Sequence, residues 1–454
     1  MILNLNFFHY LLYLFPLIKN IISKERILFA FQMNRHGARA PYLGVKNGYD
    51  IYKEKWIQIE ELSGVGKRML YLLGVNVRKR YIEYNNFLDP IYNPNEIYIK
   101  STDSNRTIES IYAFLQGLYP NGTGPKINPN VINDTNISYP PNEKYHKDFE
   151  YIMNKYNMNK DGSALPYQIS LQPVHLFNKV DHELELYDTR YCSGHKEEYE
   201  NRQKRKEIID FVDKINNETN NIFMELEETN NYTFLYDYWT LYKYMDCFLC
   251  DNTDIRNFDY MKNKYNIEII DKLRDYSKIF FDLDYYGTNF PKSAYEIGIV
   301  AISDTMFNII NWMDKAIYNY KNNIYQYTKF VIYSAHDSTI GSLESFLRYS
   351  FDINMDSCPF ADSRFLELYI NDNGEFKIRY LKGDNTIKLD MDYYDFKEKI
   401  MDRIWTDESI ADFCGFEKNE KNVNNESDIS FSIMIILIII NVVLGIYLLV
   451  FYFK

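Results

Sequence analysis

Apolar positions along this chain gather into short runs that stop abruptly at polar residues. Ile27 to Met33 reads as a buried strand and runs into Arg35-His36-Gly37. Ile97-Tyr98-Ile99 runs into Ser101 to Arg106, and Phe330 to Tyr333 runs into Ser334 to Ser338. After the second run, Ile108, Ile111, Tyr112, Leu115 and Leu118 recur at helical spacing, and a long amphipathic stretch covers Ala294 to Tyr320. Phe365 to Ile370 and Phe376 to Leu381 flank Asn373-Gly374, a hairpin signal. Strands alternating with helices predict an α/β fold, a central and mostly parallel sheet flanked by helices on both faces. Residues 126–290 are rich in Asn, Tyr, Lys and Glu and repeat no strand pattern. They read as a smaller, mainly helical cap inserted between core segments 24–125 and 291–416.

Two further apolar stretches lie outside that core. Residues 6–18 form a short apolar stretch that fits a secretory signal within 1–23, with cleavage near Ser23. Residues 431–453 are almost wholly apolar, with Asn441 the one strongly polar member, and the length suits a single transmembrane helix after a 417–430 linker. A glycolipid-anchor signal is the rival reading of the same tail. The prediction is an exported single-pass membrane protein, with its main domain in the lumen of a lysosome or phagosome or at the cell surface. Asn121, Asn133, Asn136, Asn217, Asn231 and Asn425 each open a glycosylation acceptor triplet, which agrees with export. Asn105 opens another, expected to stay unused because a glycan there would stand beside Arg106.

Composition narrows the partners. The 454-residue chain is 46% hydrophobic and carries a net charge of -12. That balance allows a sizeable core and argues against nucleic acid as a partner, which needs spread-out positive charge. Arginines gathered at one place on such a chain instead mark a local anion site. Of the five cysteines, one or two pairs suit an oxidising compartment, and the Cys247–Cys250 spacing lacks the second ligand pair that a zinc site needs.

Ligands of open α/β sheets bind beyond the carboxyl ends of the strands, so the three polar loops are expected to converge. They would bring Arg35, Arg39 and Arg106 together with His36, His336 and Asp337. Each residue has a bland reading: surface arginines, a satisfied buried histidine, a helix cap. Jointly the set suits a tetrahedral dianion, gripped by guanidiniums with a histidine in line as nucleophile. Asp337 is the nearby acid able to protonate a leaving oxygen. Arg106 falls in a first helical turn, where free N–H groups also favour an anion.

Arg35-His36-Gly37-Ala38-Arg39-Ala40-Pro41 resembles the RHGxRxP signature of the histidine acid phosphatases, and His336-Asp337 resembles their HD motif. Ser101-Thr102 to Arg106, ending in Gln116 to Pro120, is similar to the segment that carries the family's third phosphate-binding arginine. Gln172 to His175 and Phe365 to Tyr369 match weaker landmarks, so the resemblance spans about residues 25 to 416, and the apolar tail resembles the lysosomal, membrane-anchored branch. The resemblance implies that His36 is the nucleophile and Asp337 the proton donor. It implies that Arg35, Arg39, Arg106 and His336 hold phosphate, that small phosphomonoesters are the substrates, and that no metal or other cofactor is needed. It places Cys192 and Cys414 where the family has a long-range disulfide, and it is compatible with a homodimer. A catalytically silent binding protein, a phytase-like relative and a phosphoryl-transferring mutase stay open as alternatives, the last fitting export badly.

Overall fold

The computed structural model describes residues 25–40, 60–128, 130–131, 146–156, 162–177, 192–226, 294–353 and 358–415, with Asp246, Cys250, Glu268, Lys272, Asp275 and Tyr276 between them. The signal, linker and transmembrane segments expected at 1–23, 417–430 and 431–453 lie outside these, as do Asn133, Asn136, Asn231 and Asn425. None of the described helices is long and apolar enough to cross a membrane.

In chain order the core runs β1 (Arg26–Arg35), α1 (Gly64–Arg78), β2 (Ile97–Ser101), α2 (Asn105–Leu118) and β3 (His175–Leu176). It resumes with α3 (Ala294–Lys321), β4 (Phe330–Ala335), α4 (Asp337–Phe351), β5 (Ser363–Ile370), β6 (Phe376–Lys382), β7 (Ile387–Asp392), α5 (Tyr393–Met401) and α6 (Asp407–Cys414). The strands form one sheet in the order β3-β2-β4-β1-β5-β6-β7.

That sheet is mixed, which corrects the mostly parallel one expected. β3, β2, β4 and β1 run parallel, joined by crossovers that contain the helices. β1 to β5, β5 to β6 and β6 to β7 pair antiparallel, so half of the six pairings are antiparallel. The physical reason is connection length. The β5–β6 and β6–β7 loops are only a few residues long, and a link that short can only reverse the chain. The first of them turns at Gly374, whose φ of +80° needs a residue without a side chain.

Alternate side chains of the central strands enter two separate cores. On one face Phe29, Phe31, Met33, Val331, Tyr333, Leu366 and Leu368 pack with Met306, Ile310 and Met313 of α3, Leu343 and Leu347 of α4, and Phe396 of α5. On the other face Ala30, Ile97, Ile99, Phe330, Ile332 and Phe365 pack with Leu70 and Val77 of α1 and Ile111, Phe114 and Leu118 of α2. Helices therefore flank both faces, as the strand runs, apolar at nearly every position, required.

Within 126–290 the described helices include His146–Lys155, Ser193–Gln203 and Lys206–Leu226, but β3 lies in the same span and joins the core sheet beside β2, so the insertion is not separate from the core throughout. A disulfide joins Cys192, at the start of the second helix, to Cys414 at the end of α6, across 222 residues. This is the pairing the resemblance implied. Cys250 and Cys358 are both buried.

Candidate active site

The parallel register sets the site. Arg35, the last residue of β1, pairs with Ala335 of β4, and Ser101 of β2 pairs with Ser334. Three strands therefore end on one edge of the sheet, and the loops leaving them must meet there. His36, Arg39, Arg106, His336 and Asp337 all follow within a few residues of those ends.

The loop after β1 is pinned from several sides. His36 N–H donates to Ala335 O at 3.0 Å, and the His36 carbonyl accepts from Ala361 N at 3.0 Å. Gly37 N–H donates to Ser110 Oγ on α2 at 3.1 Å. A side chain at Gly37 would place its Cβ 2.4 Å from Gly66 O, so the RHG loop can only lie against α1 with glycine here. The opposing strand segment then bonds along it: Ala40 N to Glu61 O at 2.8 Å and Ser63 N to Ala38 O at 2.9 Å.

His36 is 2% exposed. Its Nδ1 lies 2.9 Å from the Gly37 carbonyl. A carbonyl only accepts, so Nδ1 carries the hydrogen and Nε2 is left with its lone pair. Burial, then Arg39 and Arg35, with His336 and Arg106 adding, holds the imidazole well below its ordinary pKa. Cations around an imidazole that stays neutral leave a nucleophile ready for use.

Each of the three site arginines meets a carboxylate. Arg35 Nη2 is 2.6 Å from Asp337 Oδ2, and its Nη1 donates to the Cys358 carbonyl at 2.5 Å. Arg39 is bidentate to Asp246, Nη2 to Oδ1 at 2.9 Å and Nη1 to Oδ2 at 3.1 Å. Burial works against the Arg39 charge and Asp246 outweighs it. Arg106 Nη1 pairs with Glu60, and its Nη2 lies 3.3 Å from His336 Nδ1. Among the described residues, the Nε–H of all three arginines is buried with no hydrogen-bond partner. Buried donors left without partners are costly, and three of them in one site are what an oxyanion would satisfy.

His336 is the cap residue of α4. Arg106 can only donate, so His336 Nδ1 accepts and Nε2–H donates to Thr102 Oγ1 at 3.0 Å. The Thr102 hydroxyl in turn lies 2.9 Å from Thr107 Oγ1. Asp337 takes the first helical position, where its Oδ1 accepts from Ser338 N–H at 2.8 Å. Burial opposes the Asp337 charge, but Arg35, Arg39 and His336 outweigh it and hold the carboxyl below its ordinary range. An acid in that state must gain its proton when substrate arrives.

All six residues expected from the three loops thus stand at one sheet edge. Four more that sequence reasoning had not singled out join them: Glu60, Asp246, Thr102 and Phe360. The Phe360 ring lies under Arg35, with Cζ 4.2 Å from its centroid, and beside His36 at 5.7 Å. Thr102 was legible, since it follows β2 directly. Asp246 and Phe360 follow no predicted strand end, and nothing in their local sequence marks them. Of the acceptor triplets, Asn121 and Asn217 are exposed, although Thr219 of the second is buried in its helix and bonded to the Ile215 carbonyl at 2.6 Å. The Asn105 triplet ends in Thr107, which is fully buried.

Curated relatives match over most of the chain. A lysosomal acid phosphatase of Xenopus laevis is 27% identical over 376 residues, covering 80% of this chain and 71% of its own length. One from Rattus norvegicus is 25% identical over 368 residues, covering 80% and 72%. Among solved structures, a phytase from Citrobacter braakii superposes with a TM-score of 0.55 at 13% identity, covering 84% of this chain and 98% of its own. A Hafnia alvei phytase bound to myo-inositol hexakis sulphate gives a TM-score of 0.55 at 11% identity, with 84% and 98% covered. These two likenesses speak for the fold. With the family model matching residues 26–381, the chain belongs to the histidine phosphatase superfamily, branch 2.

Proposed function

We propose that this chain is an acid phosphatase that hydrolyses phosphate monoesters through a phosphohistidine at His36. The observation that carries the reading is His36 itself. Its Nδ1–H is committed to the Gly37 carbonyl, so Nε2 is free among three guanidiniums that each keep a buried Nε–H without a partner.

In the first step Nε2 attacks phosphorus, the P–O bond to the alcohol breaks, and the leaving oxygen takes a proton from Asp337. Arg35, Arg39, Arg106 and His336 hold the phosphoryl oxygens and carry the charge that develops on them. A phosphate drawing on Arg35 weakens that arginine's hold on Asp337, which raises the carboxyl's pKa and lets it bind the proton it must give. In the second step Asp337, now a carboxylate, takes a proton from water as that water attacks the phosphohistidine. The P–N bond to His36 breaks, phosphate leaves, and Asp337 gives up its proton to solvent as Arg35 returns to it, so both side chains regain their starting states.

The exported, membrane-held disposition completes the proposal. The Cys192–Cys414 disulfide supports an oxidising compartment. The 431–453 stretch supplies a candidate anchor, the cap between residues 126 and 290 would shape the approach to the site, and the lysosomal relatives favour a lysosomal or other secretory location. The deciding experiment is rapid-quench trapping with a labelled phosphomonoester at acid pH. Wild type should give an acid-labile, base-stable phosphoprotein that His36→Ala does not form. Turnover by wild type without any such adduct would remove the phosphohistidine from the mechanism.

A further inference from the structure

Two of the three arginine–carboxylate pairs have work in the reaction just described. Asp337 is the proton donor, and Asp246 clamps Arg39 from a position that is 6% exposed. In the third pair Arg106 holds phosphate but Glu60 has no role in the reaction, and the setting differs. The Glu60 and Arg106 side chains keep 22% and 20% of their surface exposed, against 4% for Arg35 and 9% for Arg39. The pocket is therefore closed around Arg35 and Arg39 and open at Arg106, where Glu60 stands.

Glu60 cannot easily leave that position. Its backbone is left-handed, with φ at +57°, a conformation that favours glycine and that a glutamate holds only when its surroundings impose it. The imposing contacts are the Glu61 carbonyl on Ala40 N–H and the bridge between Leu62 and Arg39. The RHG loop thus fixes the backbone from which the Glu60 carboxylate reaches Arg106. A phosphoryl group on the unpartnered Arg106 Nε–H would lie beside that carboxylate.

We propose that Glu60 is a charge-selecting residue at the open rim of the phosphate pocket. It favours monoesters whose alcohol carries an ammonium or hydroxyl group and disfavours those carrying further phosphates. A phosphoryl group that draws on Arg106 weakens that pair and leaves the carboxylate with acceptor capacity for another donor. An ammonium or hydroxyl on the leaving alcohol supplies one. A second phosphate at the same rim brings like charge in a partly desolvated place, where repulsion is felt most. The inference rests on the phosphatase reading, because it concerns substrates of that site.

The test compares kcat/KM of the full-length protein and Glu60→Gln on phosphoethanolamine, glycerol 2-phosphate and fructose 1,6-bisphosphate. Glutamine keeps the size and the acceptor oxygen and removes the charge. The expected result is a shift of about tenfold in the preference for phosphoethanolamine over the bisphosphate, carried by KM, with glycerol 2-phosphate between them. Raising the salt concentration should shrink the same preference in wild type, a readout that needs no variant. A Glu60→Gln enzyme altered by one common factor on all three substrates would mean that Glu60 only holds Arg106 in place, and would overturn the inference. So would a wild-type preference indifferent to salt. Failure of wild type to hydrolyse any of the three would instead strike down the phosphatase reading and this inference with it.

Discussion

Arg35 and Asp337 meet across the seam between β1 and β4, with Nη2 2.6 Å from Oδ2. The contact follows from register: Arg35 pairs with Ala335, and Asp337 comes two residues later as its strand gives way to a helix. In the proposed mechanism one guanidinium therefore serves both the phosphate and the acid. It holds Asp337 charged, and phosphate would compete for it.

From that relationship, Asp337→Asn should lose activity according to the leaving group. An alkoxide needs protonation far more than a nitrophenolate does. General-acid assistance is worth about 10²–10⁴-fold, so alkyl phosphates should lose a factor of that order and nitrophenyl phosphate much less. In wild type the high-pH limb of kcat/KM, where Asp337 of the free enzyme loses its proton, should lie at lower pH than the same limb of kcat, which reports the substrate-bound enzyme. The check is the chemical-step rate against leaving-group acidity for both proteins. Parallel plots would leave Asp337 as a helix cap and no more.

His36 gives a prediction about stability. Burial and the surrounding arginines hold its folded pKa well below the ordinary 6.5, so the folded protein keeps it neutral where the unfolded chain is already protonated. The unfolded state then binds more protons, and stability falls as pH drops below about 6.5. His36→Ala should remove this part of the acid sensitivity. Melting temperatures at pH 7.5 and 5 should differ less for the variant than for wild type, and an equal difference would place the acid-sensitive groups elsewhere.

Asp246 should matter through Arg39. Both are buried, at 6% and 7% exposure, and Asp246→Ala would leave a guanidinium without its bidentate partner. Breaking a buried pair on one side costs about 3–5 kcal/mol. Asp246→Asn keeps one acceptor and the volume, so it should fold, while KM for a small phosphomonoester rises because Arg39 is no longer held in place. Competitive inhibition by inorganic phosphate should weaken in parallel. A rise in KM without weaker phosphate inhibition would detach Asp246 from the phosphate site.

The same contrast explains what the sequence disclosed. Strand ends and the residues just past them were readable, because a buried strand must be apolar throughout and its polar successor is then conspicuous. Arg35, His36, Arg106, His336 and Asp337 were all found that way. The mixed sheet was half readable: Asn373-Gly374 marked the β5–β6 reversal, while β7, with Ile387 and Asp390 exposed and Lys388 and Leu389 only partly covered, had too little apolar pattern to show. Asp246 stayed hidden for a different reason. Its partner lies 207 residues away, and only the folded chain brings the two together.

The last prediction concerns a carboxylate with no part in the chemistry. Glu367 of β5 is fully buried and accepts from Arg80 Nε at 2.7 Å and Nη2 at 2.8 Å, Arg379 Nε at 2.7 Å, and the Tyr81 hydroxyl at 2.6 Å. Arg80 and Tyr81 reach it from a π-helical turn, Lys79–Tyr84, that prolongs α1. The cluster ties the α1 side of the sheet to its antiparallel half. Burial raises the cost of the Glu367 charge, but Arg80, then Arg379 and Tyr81, outweigh it and hold the carboxyl below its ordinary pKa. Its contribution is therefore present above the unfolded carboxyl pKa and is lost only as pH falls through the lower folded value, which suits a protein expected to work in acid. Glu367→Gln keeps the shape but turns an amide NH₂ toward two guanidiniums, and should cost about 3–5 kcal/mol, the scale of a broken buried pair. Lys67 and Glu109 form the comparison, an ion pair at 2.8 Å with half-exposed side chains, for which removal of one partner should cost about 0–1 kcal/mol. Thermal melts of Glu367→Gln and Lys67→Ala side by side decide the matter. A drop for Glu367→Gln no larger than that for Lys67→Ala would show that the buried cluster is not what holds the two halves of the sheet together.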